Sequence, residues 1–336
     1  MSELIFPQDY DPKLTLRQTQ RAIKLIKDTF QKELALALNL DRVTAPILVK
    51  QGSGINDDLS GVERKVAFTM KEVDGSAEVV QSLAKWKRTA LYRYGYGVGE
   101  GIYTDMNALR RDDKVDNTHS IFVDQWDWEK VIRPEDRNVE YLKHTVRAIV
   151  GAISRTKGYI NKAYDHVLTT EIGDEVFFIT TQELEDLYPD KTGKEREDLI
   201  TKEHGIVFIM QIGGALKSGE PHDSRAPDYD DWTLNGDIMY WNPTLDRALE
   251  ISSMGIRVDA DAMDRQLKLA NADDRRAFPY HQMILNGSLP LTIGGGIGQS
   301  RLCMLLLEKA HIGEVQTSVW PDEMIEECRA HNVILL

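Results

Sequence analysis

Residues 292–308 read TIGGGIGQSRLCMLLLE, with four glycines among the five residues 294–298 and an apolar run behind them. Glycine at this density brings backbone close to something, often a phosphate. Two familiar phosphate loops do not fit. A dinucleotide fingerprint needs a third glycine five residues after the first, and that position holds Gln299 counting from Gly294, or Arg301 counting from Gly296. A Walker A loop needs a lysine after the glycines, and none follows. The run from Leu302 to Leu307 reads as a buried helix with Arg301 in its first turn. A cation there opposes the helix dipole by roughly 0.3–1 kcal/mol. An anionic ligand over the same turn would remove the conflict. The plainer reading is a glycine-rich turn with a surface arginine.

The remaining chain narrows the choice. At 336 residues, 42% hydrophobic and 28% charged, it can bury a full core. A formal net charge of −13 argues against a general grip on nucleic acid. The two cysteines, Cys303 and Cys328, form no C-x-x-C; there is no H-E-x-x-H and no G-x-S-x-G. No basic leader or long apolar stretch precedes or interrupts the chain, so a cytoplasmic protein is expected, with no membrane partner.

Apolar residues at three- and four-residue steps predict a helix over 14–38. Residues 39–49, NLDRVTAPILV, predict an edge strand, since Pro46 is excluded from a central one. Asp74-Gly75 predicts a hairpin between 64–70 and 77–81, and 82–94 a basic helix capped by Ser82. Strands are expected at 120–131, 176–180, 206–210, 236–242, 247–252 and 256–259, and helices over 136–170, 260–271 and 277–286. One α+β domain spanning 1–336, its sheet mostly antiparallel and flanked by helices, fits this order.

Four polar clusters ask for a ligand. Residues 52–61, GSGINDDLSG, form a loop suited to close approach. Arg110 and Arg111 precede DQWDW at 124–128, where strand parity puts Gln125 and Asp127 on one face and Asp124, Trp126 and Trp128 on the other. RAPDYDDW at 225–232 could equally be a solvated loop, and the tryptophans core. Asp237, Glu250 and Arg257 interrupt apolar strands, where an unpaired buried acid costs several kcal/mol, so the acids suggest Mg²⁺ beside a phosphate. Arginines for phosphates together with mixed charges for a zwitterion suggest ATP-dependent activation of an amino acid.

These segments, in this order, resemble the class II aminoacyl-tRNA synthetases of the aspartyl type. Helix 14–38 with 39–48 is similar to their motif 1, Arg110 to the motif 2 arginine, and 294-GGGIGQSR-301 to motif 3. The phrases LAKWKR at 83–88, GEGIYTDMNALR at 99–110, VDQWDWE at 123–129, RAPDYDDW at 225–232 and ISSMGIRVDAD at 251–261 resemble an offshoot, the ammonia-dependent asparagine synthetases.

The resemblance implies the class II synthetase-like catalytic fold and a ligase joining L-aspartate and ammonia through β-aspartyl-AMP. It implies ATP and Mg²⁺, and a homodimer across 39–49. Arg110, Ser252, Ser253, Gly296 and Arg301 are then expected at ATP, with Asp237 and Glu250 at Mg²⁺. Ser82, Lys87 and Arg225, with Asp127 and Asp230, are expected at the amino acid, and Gln125 at the reacting carboxylate. Asp57 is expected to take the proton from ammonium, with Asp58 its confusable neighbour and Asp127 the runner-up. Lys85, beside Trp86, could as easily be a surface residue. A synthetase-like enzyme charging tRNA or protein, and a silent amino-acid-binding paralogue, are the alternatives.

Overall fold

The computed structural model describes residues 4–57, 59, 63–165 and 167–336; Asp58, Ser60 and Gly61 of the glycine-bearing loop lie outside them. In chain order the first elements are α1 (Leu16–Leu38), β1 (Leu40–Arg42), β2 (Leu48–Lys50), β3 (Ala67–Thr69), β4 (Ser76–Val79) and α2 (Ala84–Tyr94). Then come β5 (Gly101–Leu109), β6 (Phe122–Val131), α3 (Val139–Ala163), β7 (Phe177–Thr180), α4 (Thr181–Leu187), α5 (Gly193–His204) and β8 (Ile206–Met210). The last third holds β9 (Asp230–Asn242), β10 (Arg247–Arg257), α6 (Ala260–Leu269), α7 (Pro279–Leu285), β11 (Thr292–Gly298), α8 (Gln299–Leu306) and α9 (Asp322–Ala330).

Helix α1 starts where Thr15 and Gln18 exchange side-chain and backbone hydrogen bonds, satisfying two otherwise unpaired N–H groups. Its inward face, Ala22, Ile26, Phe30, Leu34 and Leu38, keeps the predicted spacing. Asn39 ends it in the left-handed region. The expected single edge strand over 39–49 is two short strands, broken on either side of Pro46 and placed in different sheets.

The main sheet has the order β1-β5-β6-β11-β10-β9-β8-β7. Its pairs are antiparallel except β1–β5 and β7–β8. Strand β1 is an edge of this sheet and β2 an edge of the small one, with Pro46 between them in neither strand. Strands β2, β4 and β3 form a small separate sheet containing the predicted hairpin. The strands expected at 236–242, 247–252 and 256–259 are one long hairpin, β9–β10. Register shifts between Glu250 and Ser252 and between Gly255 and Arg257 interrupt its alternation and hid its continuity.

One face of the sheet packs on α1, α3 and α8 around Phe30, Trp126, Trp128, Ile149, Ile153, Ile293, Ile297 and Leu302. The tryptophans of β6 are therefore core. Because side chains alternate along β6, Gln125, Asp127 and Glu129 must face the other way, toward α2 and the polar side of the sheet. Among the described residues no helix is long and apolar enough to cross a membrane.

Candidate active site

The polar face opens a cavity of about 540 Å³. On its wall stand Asp57, Ser82, Lys87, Arg110, Gln125, Asp127, Arg225, Asp230, Glu250, Ser253, Gly296 and Arg301. Two expected residues are not on that wall. Ser252 lies opposite Ile297 and Ile238 and is buried; neighbouring Ser253, opposite Gly296 and Asp237, takes the cavity side. Alternation along a strand allows only one of the two serines to face a ligand. Asp237, opposite Ser253 on the same face, is paired with Arg225 of that wall.

The glycines of β11 do something other than form a loop. They run along a central strand between β6 and β10, so the surface-turn alternative is set aside. A Cβ on Gly296 would overlap the Gln125 amide. One on Gly294 would overlap the Glu129 carboxylate and fall 2.6 Å from Arg257 Nη2. The glycines leave room for polar side chains of the neighbouring strands to lie flat across the sheet and converge.

Those side chains form a buried charge network. Lys87 of α2 donates to Asp127 and, at 3.2 Å, to the Gly295 carbonyl. Arg257 donates to Glu129 at 2.7–3.1 Å and also to Asp230, while Thr292 donates to Glu129 at 2.7 Å. Burial pushes the Lys87 ammonium down and the Asp127 carboxyl up, each toward its neutral form, against the attraction between them. Burial also tends to raise the Glu129 carboxyl, but the charges of Arg257 and Lys87 outweigh it and hold it low.

Arg301 stands in the first turn of α8. It donates at 3.1 Å to the Glu250 carbonyl and at 3.3 Å to that of Thr118, with the Glu250 carboxylate 3.6 Å away. The helix terminus is also met by Asp124, which accepts from the Ser300 N–H at 3.1 Å. Acids thus offset the misplaced cation.

Asp237 and Glu250 show what a cation could use. Burial raises the Asp237 carboxyl to about 6; Arg225 counteracts and the Glu250 charge adds to it. Burial of Glu250 is outweighed by Arg301, Arg225 and Lys194, which bring it to about 2. Asp237 Oδ1 is buried without a hydrogen-bond partner. Among the described residues no group of three or more His, Cys, Asp or Glu could hold a metal. Two hard oxygen donors, one with an unmatched oxygen, fit an ion that takes its other ligands from phosphate and water, as Mg²⁺ does.

Ser82 does not cap α2 as expected. Leu83 is the N-cap, and Ser82 accepts from the Ala84 N–H at 3.2 Å. Nor is Lys85 on the surface: it is 2% exposed and lies 2.7 Å from Asp228. The alternative of a solvated loop at 225–232 also falls, since Asp228, Asp230 and Asp231 are all buried. Glu129 shares the parity that groups Gln125 with Asp127, a signal present in the sequence, whereas its pairing with Arg257 joins strands far apart in the chain.

A family model described as aspartate-ammonia ligase matches residues 17–332. The aspartate–ammonia ligase of Clostridium tetani is 59% identical over 334 residues, covering 99% of this chain and 98% of that protein. That of Levilactobacillus brevis is 58% identical over 334 residues, covering 99% of each. Among solved structures, the Pyrococcus horikoshii asparaginyl-tRNA synthetase complexed with asparaginyl-adenylate is similar with a TM-score of 0.63 at 18% identity, over 96% of this chain and 77% of that one. The Entamoeba histolytica asparaginyl-tRNA synthetase with asparaginyl-adenylate gives 0.65 at 16%, over 90% of this chain and 66% of that one. At such identities the likeness concerns the fold, and it is the class II catalytic fold that the motif order implied.

Proposed function

The chain belongs to the aspartate–ammonia ligase family, and from that premise we propose that it converts L-aspartate, ammonia and ATP to L-asparagine, AMP and pyrophosphate by way of β-aspartyl-AMP. The observation that carries this reading is the single cavity in which Arg110 and Arg301, Gln125 and Ser253, and the charged pairs of Lys87 and Arg257 all meet.

In the first step a β-carboxylate oxygen attacks the α-phosphorus of ATP, and the bond to pyrophosphate breaks. Such a transfer is mainly positioning and neutralisation of charge. Arg110 and Arg301 offer guanidinium donors to phosphate oxygens. Asp237 and Glu250 would hold Mg²⁺, which when bound neutralises phosphate charge. Gln125, lying over Gly296, would orient the reacting carboxylate.

The amino acid is a zwitterion, and the cavity presents both signs of charge in buried pairs. Lys87 and Arg225 suit its α-carboxylate, Asp127 and Asp230 its ammonium. Their existing partners, Glu129, Arg257 and Asp237, hold them in place and balance them when substrate is absent.

In the second step ammonium gives a proton to Asp57. The freed nitrogen lone pair attacks the β-carbonyl carbon, the bond to the AMP phosphate breaks, and the amide nitrogen sheds its second proton. Asp57 is 2% exposed, and burial raises its carboxyl, as an acceptor working near neutral pH requires. Asp127 is the weaker choice because Lys87 already occupies it. The edge position of β1 and the family likeness support a homodimer through 39–49.

The test is a product assay with Mg-ATP and L-aspartate, supplied in parallel with ammonium or with glutamine. Asparagine, AMP and pyrophosphate in equal amounts with ammonium are expected. ATP–pyrophosphate exchange without asparagine would point to another acceptor.

A further inference from the structure

Behind Asp57, off the cavity wall, lies a second buried charge cluster that the steps above do not use. Its centre is Asp228, fully buried, whose Oδ2 is met by Lys85 Nζ at 2.7 Å, Arg275 Nη1 at 3.0 Å and His281 Nε2 at 3.0 Å. One oxygen thus gathers an ion pair with Lys85 and a hydrogen bond from Arg275 beside the His281 ring, while Asp228 Oδ1 is buried without a hydrogen-bond partner. Lys85 also points to the Asn56 carbonyl at 3.4 Å, on the residue before Asp57. Asn56 is itself held firmly: its side chain donates to Glu78 and to the Val79 carbonyl, each at 3.1 Å, and accepts from the Gln81 N–H at 2.9 Å. The loop is thus clamped up to the residue that carries the carboxyl, and Lys85 ties the clamp to the Asp228 cluster.

We propose that Lys85 is a positioning residue for amide formation, pinned by Asp228 with Arg275 and His281 behind it, so that its reach toward the Asn56 carbonyl holds Asp57 in place. The inference rests on the reading of Asp57 as the proton acceptor. Lys85 does not line the cavity, so it acts through Asp57 and touches no substrate. A lysine on a helix that contacts no ligand would ordinarily extend to solvent, because burying an ammonium is costly unless a paired acid compensates. Here it is buried beside a carboxylate that must change its protonation state.

Among the described residues the charged and titratable groups facing Asp57 are Lys85 from α2, Asp228 and Tyr229 ahead of β9, and Arg110 beyond β5. Burial raises the Asp57 carboxyl, Lys85 draws it down, and Asp228 pushes it up. The two partners therefore act on Asp57 with opposite sign, which supplies a test that a merely structural role would not pass.

Amide formation from ammonium and ATP–pyrophosphate exchange are measured against pH for Lys85→Met, Lys85→Arg and Asp228→Asn. Lys85→Met should keep exchange and the KM for aspartate, lower amide formation by roughly 10- to 100-fold, and move its acidic limb up by about 1 pH unit. Lys85→Arg, retaining the charge, should restore much of the rate and the original limb. Asp228→Asn should move the limb the other way, to lower pH. If Lys85→Met fails to fold, the direction of the shift in Asp228→Asn still decides. Unmoved limbs, or limbs that move in the same direction, overturn the proposal. Asp57→Asn separates the two ideas: if that variant still makes asparagine, the acceptor reading has failed, whereas its inactivity beside an unaffected Lys85→Met removes the role of Lys85 alone.

Discussion

Gln125 lies flat across Gly296, so closely that a Cβ at 296 would overlap its Oε1. Gln125 pairs with Gly298 across the β6–β11 ladder and reaches diagonally over Gly296, which pairs with Asp127 and, on its other side, with Ser253. With ladder bonds on both sides the strand cannot retreat, so an added methyl must displace the amide. Gly296→Ala should reduce ATP–pyrophosphate exchange and amide formation together by about 10²-fold. The stability loss should be about 1–3 kcal/mol, as for overpacking elsewhere. Exchange kinetics and a urea melt check the two effects, and unchanged exchange would sever Gln125 from the activation step.

Asp57→Asn is expected to divide the two half-reactions. Exchange needs ATP and aspartate only and should persist, while amide formation falls by roughly 10²–10⁴-fold, the range for a general base. In the unaltered protein the ionised carboxylate is the working form. Since burial raises this carboxyl, amide formation should decline as pH falls through a point above the ordinary aspartate value. A matched pH series for both half-reactions on the two proteins makes the comparison; equal loss in both would remove Asp57 from the ammonia step.

Much of this site could be read from the chain because its residues sit in locally periodic elements. Parity along β6 grouped Gln125 with Asp127, and the spacing in α1 marked its buried face. What could not be read depended on partners far away in the chain. The glycines of 294–298 looked like a loop because their occupants, Gln125 and Glu129, come from another strand. Lys85 reads as a possible surface residue because Asp228, the carboxylate that offsets its burial, belongs to the last third of the chain. Alternation alone admits only one of Ser252 and Ser253 to the cavity side, and which one depends on the register shift after Glu250, which the β9 partner reveals.

Glu250→Gln should raise the Mg²⁺ concentration needed for half-maximal exchange while leaving the ratio of exchange to amide formation unaltered. The change removes one of two carboxylates suited to a hard cation, and chelation of Mg²⁺ should silence both half-reactions. Titrating exchange with Mg²⁺ at saturating ATP is the measurement. An unchanged Mg²⁺ requirement would take Glu250 out of the metal role.

The edge of the main sheet gives the next prediction. Among the described residues β1 has one side unpaired, and the segment after it exposes Ile47 by 57%, with Leu36 of α1 81% exposed. Open edges beside exposed apolar side chains invite a second chain. Light scattering should give twice the 38.2 kDa chain mass for the unaltered protein and a single chain mass for Ile47→Glu. A monomeric unaltered protein would contradict the proposed dimer.

His311 sets a stability limit in acid. Its Nδ1 accepts from the Gly313 N–H at 3.0 Å, so the ring must be unprotonated there, and its Nε2 is buried without a partner. Burial lowers its pKa to about 4, Asp116 opposing only in part. The unfolded chain takes up this proton below about pH 6.5, the folded chain only near pH 4. Between those values the unfolded state binds more protons, so stability must fall as pH falls, by up to about 1.4 kcal/mol per pH unit from this group. His311→Asn can keep an acceptor for Gly313 without a titrating ring. Urea melts from pH 7 to pH 4 should show a shallower loss for the variant, and parallel losses in the two proteins would mean that His311 is charged in the fold after all.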